Sequence, residues 1–448
     1  MVNGRRCRCV LIQGPAPVRQ RGLPWNRGAW STSHVSALYV GPSAFERLLH
    51  ASFLVALCAF VVAQPYIRDR GGLVFWAFTV VATVYAGLSV RPFMMRALLG
   101  FNVVGLAYVG LSYLDVLPDA WTTVYDPALI PRQAFYVVLL YPFILAAYSM
   151  WSYAVARGRL GRTLVWLFVS AGLLGPLARF LAGDEATLLE AYASATTGGF
   201  GNARLLFFMA WTYFLLVRVR NVEMGRVFAL FVVAGFFLSY FEFVREPQLQ
   251  NMIGLGVFLV IAFSRARRRT VVALALGAVA LYAALIPFAD RVYEIDKNTG
   301  YRLVLTQDAL QGLVGSYFLG VGFGKEVVTG DYDLAGVRQV RNATSPSDLA
   351  VQGVHNSFAQ ELMRLGILGG GYVIWLFFGI ALPPSAGPTR VRRHLSVVYL
   401  VLLITMMANV SLESPTYIVG VAFGLGYLLV LRDARAVEAR GRPGGWSS

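Results

Sequence analysis

The chain has 448 residues, of which 57% are hydrophobic and only 14% are charged, and its formal net charge is +16 at pH 7. A soluble domain carries about 25% charged residues, so this composition excludes an ordinary water-soluble protein. The sequence lacks the strand-type alternation of an outer-membrane barrel, which leaves an all-α polytopic membrane protein.

The chain begins with a segment, 1–44, that is rich in Arg, Pro and Gly and has no apolar core of signal-peptide length. This composition predicts a disordered cytoplasmic tail. The apolar runs that follow are each long enough to cross a hydrocarbon core of about 30 Å. They predict about 12 transmembrane helices, at 45–64, 72–90, 95–114, 133–154, 163–182, 202–217, 226–243, 249–264, 270–288, 366–382, 394–412 and 415–431.

The basic residues set the predicted orientation. With a cytoplasmic N-terminus and alternating spans, roughly two thirds of the 39 Lys and Arg residues fall in inner segments, as the positive-inside rule expects. The acidic residues gather in the outer segments. The positive net charge therefore indicates topology, and no nucleic-acid partner is predicted. Both termini, including the tail 433–448, are expected in the cytoplasm.

One connection is much longer than the others. Spans 1–9 occupy 45–288, spans 10–12 occupy 366–432, and the residues between them, 289–365, form a large outer loop. Long loops in compact proteins are usually functional. The pattern in this loop predicts short helices, one at about 301–314 before a glycine-rich turn. The stretch "HNSFAQELMRLGILGG" (355–370) is predicted to start the helix that enters the membrane.

His355 is the only one of the four histidines that the predicted topology places outside. Because an imidazole exchanges a proton near neutral pH, His355 is a candidate general base. Asn356 beside it can accept and donate hydrogen bonds. The structural alternative is that Asn356 or Ser357 only caps the following helix.

Outer arginines are the candidate anion ligands, because a guanidinium matches phosphate oxygens. Arg204 and Arg302 are the main candidates. For Arg364 and Arg179 the structural alternative is interfacial snorkelling, or pairing with an acid such as Glu361. Further outer acids that could form such pairs are Glu185 and Glu190.

Two short motifs imitate ligand sites. "GVGFGK" (320–325) lacks the spacing of a phosphate-binding P-loop, so its glycines indicate a tight turn. "DYD" (331–333) could hold Mg²⁺ beside phosphates, but a DxD pair is common in polar loops. We therefore predict neither a metal nor another cofactor.

The motifs "GYRLVLTQDAL" (300–310), "LGVGFG" (319–324) and "HNSFAQELMRLGILGG" together resemble the O-antigen ligase/polymerase superfamily. "GGFGN" (198–202) is similar to an earlier glycine–aromatic–asparagine patch of that family. The resemblance covers roughly 195–430. It departs at Ala203–Arg204, where the family often has Pro-Asn.

The resemblance implies a GT-C-like, metal-independent glycosyltransferase at the periplasmic face of the bacterial inner membrane. The donor would be a glycan on undecaprenyl diphosphate, and the acceptor would be a glycan, lipid A–core or a protein. The predicted catalytic residues are His355, Arg302 and Asn356, of which Asn356 could orient the imidazole or a sugar hydroxyl. The predicted diphosphate ligands are Arg204, Arg302 and Arg364.

The subclass stays open at this stage. O-antigen ligase and surface-polysaccharide polymerase use the same machinery, and a protein O-oligosaccharyltransferase is a further alternative. From another class, a membrane transporter with 12 helices remains. A transporter should keep its key polar residues at mid-membrane, whereas here they gather on the predicted outer side.

Overall fold

The computed structural model describes residues 44–63, 72–89, 95–118, 125, 127–183, 187–188, 191, 201–218, 260, 267–295, 297–325, 356–383, 389–408, 411–415 and 417–440. Within these ranges the backbone alone is described for 95–98, 201, 203–204, 218, 297–298, 408 and 433–440. The predicted tail 1–44 lies almost wholly outside the described residues, as do His355 and the "DYD" motif.

The described part of the chain is helical and contains no strand. Its helices, numbered here in chain order, are α1 Ala44–Ala63, α2 Leu73–Ser89, α3 Met95–Tyr113, α4 Ile130–Ala156, α5 Leu160–Leu181, α6 Gly201–Tyr213, α7 Arg268–Leu285, α8 Ala289–Ile295, α9 Lys297–Gly315, α10 Ser357–Trp375, α11 Thr389–Ala408 and α12 Ile418–Arg440. Single π-helical turns interrupt α5 and extend α6 and α10, at Ser170–Leu174, Phe214–Arg218 and Leu376–Ile380.

Each predicted span that falls on described residues coincides with a helix, whereas 226–243 and nearly all of 249–264 lie outside them. Among the described residues, five helical segments are long and apolar enough to cross a membrane: Ala44–Ala63, Pro127–Ala156, Leu160–Leu181, Arg268–Ile295 and Ser357–Ile380. Shorter apolar helices are Leu73–Ser89, Leu99–Tyr113, Leu205–Val217 and Ile418–Arg432. Their length and composition fit a membrane-embedded helical protein.

Large apolar side chains are exposed along α1, α2, α3 and α7. Examples are Val55, Leu73, Val103 and Leu276, each more than half exposed. In water such continuous apolar faces would favour aggregation, whereas against lipid tails they are compatible with a monomer. This exposure is what a bundle surrounded by lipid requires.

Helix α4 forms the centre of the bundle, and α12 packs directly against it. The indole of Trp151 is fully buried, and its Nε1 donates to the Phe423 carbonyl at 3.1 Å. A Cβ atom at Gly426 would lie 2.6 Å from the Cβ of Ala147. The absence of a side chain at Gly426 therefore lets the two backbones approach closely, as small residues do in membrane helix pairs.

Two histidines mark one end of the bundle. His50 of α1 hydrogen-bonds the Tyr85 hydroxyl of α2 and stacks on the ring of Tyr153 at 3.8 Å. His394 of α11 lies between the Thr212 hydroxyl of α6, at 3.1 Å, and the Tyr427 hydroxyl of α12, at 2.8 Å. We call this end the histidine pole. Trp151 links the two clusters, because its ring contacts that of Tyr427 at 5.0 Å.

The opposite end, which we call the site pole, collects the other helix termini. The amide of Phe323 donates to Ser112 Oγ of α3 at 2.8 Å, and the amide of Gly324 donates to Gln133 Oε1 of α4 at 2.6 Å. Asn202 of α6 donates to the Pro415 carbonyl at 2.8 Å. Helix ends that the positive-inside pattern assigns to one side thus meet at one pole. The side of the membrane that each pole faces stays a prediction.

The predicted elements of the long loop are present where the structure describes it. Helix α9 contains the predicted helix 301–314, and Gly320, Gly322 and Gly324 all have φ between 81° and 87°. Only glycine adopts such angles without strain, so the predicted glycine turn is confirmed. At the other end of the chain, α12 continues to Arg440, beyond the predicted end of the last span.

Helix α10 differs from the predicted span 366–382 in its start. It begins at Ser357 and bends at Gly366, whose φ of 61° and ψ of −163° are not helical. We call residues 357–365 α10a and residues 367–375 α10b. The predicted boundary at 366 therefore marks a bend inside the helix.

Candidate functional site

Asn356 starts α10a at the site pole. Its backbone is extended (φ −151°, ψ 104°), and its Oδ1 accepts hydrogen bonds from the amides of Phe358 and Ala359 at 3.1 and 3.2 Å. This geometry is an N-cap, so the predicted capping role is confirmed. The cap does not test the second prediction, that Asn356 also contacts a substrate or the imidazole of His355.

Tyr282 of α7 joins Asn356 to α9. Its hydroxyl lies 3.0 Å from Thr306 Oγ1 and hydrogen-bonds the side chain of Asn356, and the positive charge of Arg302 acts on it through space. Thr306 Oγ1 in turn donates to the Arg302 carbonyl at 2.8 Å. Asn356 therefore contacts this phenol, and Arg302, which sequence analysis selected from a different motif, lies within electrostatic range of it.

Tyr282 is the residue that sequence analysis missed. It lies near the end of an apolar helix, where tyrosines are common as interfacial anchors. No pattern in the sequence distinguishes it from the other tyrosines of the chain. Its selection depends on tertiary contact with α9 and α10a.

The remaining predicted site residues fall into two groups. His355 lies outside the described residues, although its chain neighbour Asn356 is part of the Tyr282 cluster. Arg204 belongs to the first turn of α6, for which the backbone alone is described. The same turn contains Asn202, whose amide group contacts Pro415 at the site pole.

Arg364 is fully buried within the bundle. Its Nε donates to Glu413 Oε1 at 3.0 Å, and its Nη1 donates to the carbonyls of Gly322, at 3.4 Å, and Lys325. The expected alternative, an ion pair, is therefore present, with Glu413 as the acid rather than Glu361. The diphosphate role of Arg364 stays a prediction that these contacts do not support, because the side chain is only 2% exposed.

Other ionisable groups of the described residues have partners or surroundings of their own. Lys325 Nζ pairs with Asp115 at 3.1 Å and donates to the Leu117 carbonyl at 2.9 Å. Glu361 is fully buried and accepts a hydrogen bond from Tyr136. On α9, burial raises the pKa of Asp308 from 3.8 to about 6. No group of three or more His, Cys, Asp or Glu residues converges within the described ranges.

The chain matches no protein-family model, and no curated protein is significantly similar to it.

The cluster has the chemistry of a site for an anionic, hydroxyl-rich ligand. The N-terminus of α10a carries the positive end of a helix dipole, and Arg302 contributes a permanent positive charge beside it. The hydroxyls of Tyr282 and Thr306 can each donate and accept hydrogen bonds. A phosphate group and a sugar hydroxyl are both suited to such surroundings.

Proposed function

We propose that the chain is a membrane glycosyltransferase of about 12 spans with a GT-C-like arrangement, acting at the periplasmic face of the bacterial inner membrane. It moves a glycan from undecaprenyl diphosphate to an acceptor hydroxyl, as an O-antigen ligase or a surface-polysaccharide polymerase. The observation that carries the proposal is that the Tyr282 hydroxyl joins Thr306 of α9 to Asn356 of α10a, with the charge of Arg302 within electrostatic range. The resemblance of the loop motifs supports it.

In the proposed reaction the acceptor oxygen forms a bond to the anomeric carbon, and the bond from that carbon to the phosphate oxygen breaks. His355 takes the proton of the acceptor hydroxyl, and undecaprenyl diphosphate leaves with its additional negative charge. Arg302, with Arg204, stabilises that charge. Groups in these two roles typically each contribute a factor of about 10²–10³ to the rate.

Deletion and complementation test the proposal. Strains carry wild type, His355→Ala, Arg302→Ala or Arg302→Lys in place of the chromosomal copy, and surface glycans are compared on gels. We expect both alanine variants to lose long glycans by about 100-fold or more while their membrane levels stay unchanged. Arg291→Ala is the matched control, because Arg291 is an exposed arginine on α8. Wild-type glycans in the Arg302→Ala strain would contradict the proposal.

The product that disappears on deletion identifies the subclass. Loss of chains from lipid A–core with free polymer intact indicates a ligase, and products of a single repeat unit indicate a polymerase. Loss of glycan from proteins alone would favour the O-oligosaccharyltransferase. An unchanged glycan pattern in every strain would favour a protein of another class, such as a transporter.

A further inference from the structure

Helices α9 and α10a form two neighbouring arms at the site pole. Their N-terminal ends carry Arg302 and Asn356, and the Tyr282 hydroxyl joins these ends through hydrogen bonds to Thr306 of α9 and to Asn356. Their C-terminal ends, which we call the near ends, also meet, because a Cβ atom at Gly312 would lie 3.5 Å from Met363 Cγ. The two helices therefore run side by side in the same direction, with the candidate site at one end.

The segment that follows α9 fastens the near ends together, and we call residues 318–325 the clasp. Its amides at Val321 and Gly322 donate to the carbonyls of Met363, at 2.8 Å, and Arg364, at 3.0 Å. In return, the Ile367 amide donates to the Phe318 carbonyl at 3.1 Å. The bend in α10 deprives these backbone groups of intrahelical partners, and the clasp supplies replacements.

Arg364 connects the clasp to the turn between α11 and α12. Its guanidinium donates hydrogen bonds to both, that is to the Glu413 carboxylate in the turn and to the carbonyls of Gly322 and Lys325 in the clasp. Both partners of the ion pair are almost fully buried. A planar guanidinium can satisfy several acceptors at fixed angles, whereas an ammonium is a point charge. A substrate cannot reach this group without displacing the clasp.

We infer that Arg364 is a positioning residue, which with the clasp holds α10a against α9 and so fixes the separation of Asn356 from Arg302. This inference rests on the proposed function, because Arg302 and Asn356 are two of its predicted catalytic residues. A displacement of about 1 Å in such a site can lower a rate about 100-fold without contact between the altered residue and the substrate.

Kinetics and hydrogen exchange together test the inference on the purified full chain in nanodiscs. The variants are Arg364→Ala, Arg364→Lys and Glu413→Gln, and the last keeps the side-chain volume in case the alanine variant does not fold. The substrate probes are a polyprenyl-diphosphate-linked glycan and an acceptor glycan. We expect kcat to fall about 100-fold with KM for the donor within about threefold of wild type.

The amides of 358–366 should exchange about tenfold faster in all three variants, because the clasp no longer holds them. Arg432→Ala is the matched control. Arg432 donates through Nη1 to the Ile380 carbonyl at the histidine pole, so this variant removes an equivalent bond far from the site. Its kcat and its exchange at 358–366 should equal those of wild type.

The failures are distinguishable. A rise in donor KM with unchanged kcat and unchanged exchange would mean that Arg364 binds the diphosphate, and the inference would be wrong. Unchanged kcat and exchange would also overturn it. If the wild type transfers no glycan, the proposed function fails, and the exchange at 358–366 still decides whether Arg364 orders α10a.

Discussion

Replacement of Gly366 by alanine should destabilise the protein through its backbone alone. The observed φ of 61° and ψ of −163° belong to a region that is essentially restricted to glycine, at a cost of about 1–3 kcal/mol for other residues. An added Cβ would lie 2.3 Å from the Leu319 carbonyl oxygen and 2.5 Å from that of Phe318. These atoms belong to the backbone, so no side chain can move aside.

Relief of that contact requires the clasp to move away from the bend. The hydrogen bond from the Ile367 amide to Phe318 would then be lost, along with one or both of those from Val321 and Gly322. Each bond contributes about 0.5–1.5 kcal/mol. Together with the backbone strain, we expect a loss of roughly 3–5 kcal/mol in the free energy of unfolding.

The matched control is Gly371→Ala, five residues further along the same helix. A Cβ atom there meets nothing within 4 Å, so alanine should add up to about 1 kcal/mol through its helix propensity. Thermal unfolding of both variants in the same detergent compares them. At about 2–4 °C per kcal/mol, Gly366→Ala should lower the Tm by roughly 6–20 °C. A Tm equal to that of wild type would refute the close contact between the clasp and the bend.

Three further changes test other parts of the structure. Burial raises the pKa of Asp308 to about 6, so the stability of the protein should fall as the pH rises from about 4 to 6. Asp308→Asn should therefore raise the Tm at pH 7.5 but hardly at pH 4, and an equal gain at both pH values would contradict this. Asn202→Ala removes the buried acceptor of the hydrogen bond from the Gly420 amide, which is 2.7 Å long, and should lower the free energy of unfolding by about 2–4 kcal/mol. Denaturant titrations measure this loss, and a value below about 1 kcal/mol would contradict the prediction. Tyr136→Phe should lower the free energy of unfolding by about 1–3 kcal/mol, because Glu361 loses its hydrogen-bond donor. In a double-mutant cycle this loss should vanish in a Glu361→Leu background, and additive losses would refute the coupling.

The helices could be predicted because apolar runs of span length leave the backbone no other partner in lipid. The start of α10 could not be predicted in this way. Hydropathy changes near residue 366, where the chain becomes apolar, but Asn356 caps the helix almost three turns earlier. Hydropathy therefore locates the bend, whereas the cap determines where the helix begins.

The candidate site was predictable only in part. Arg302 and Asn356 belong to motifs with a chemical signature, so sequence analysis could select them before their positions in the fold were known. The partner of Arg364 could not be selected, because Glu413 lies in a turn between α11 and α12 whose position depends on packing of the whole bundle. Tyr282 carries no local signal at all. Such assignments depend on tertiary contacts, and these contacts cannot be inferred from a single sequence.

The glycines of "GVGFG" illustrate how a ligand-like motif can serve the fold. Every amide from Gly320 to Gly324 donates within the protein, to Ser316 Oγ, the carbonyls of Met363 and Arg364, Ser112 Oγ and Gln133 Oε1. A phosphate-binding loop instead directs free amides at one anion. A Cβ atom at Gly320 would lie 2.4 Å from the Gly366 amide nitrogen. The glycines at 320 and 366 therefore allow the two backbones to approach each other. Substitution of either glycine should open the contact between the clasp and the bend and expose the amides of that contact to exchange.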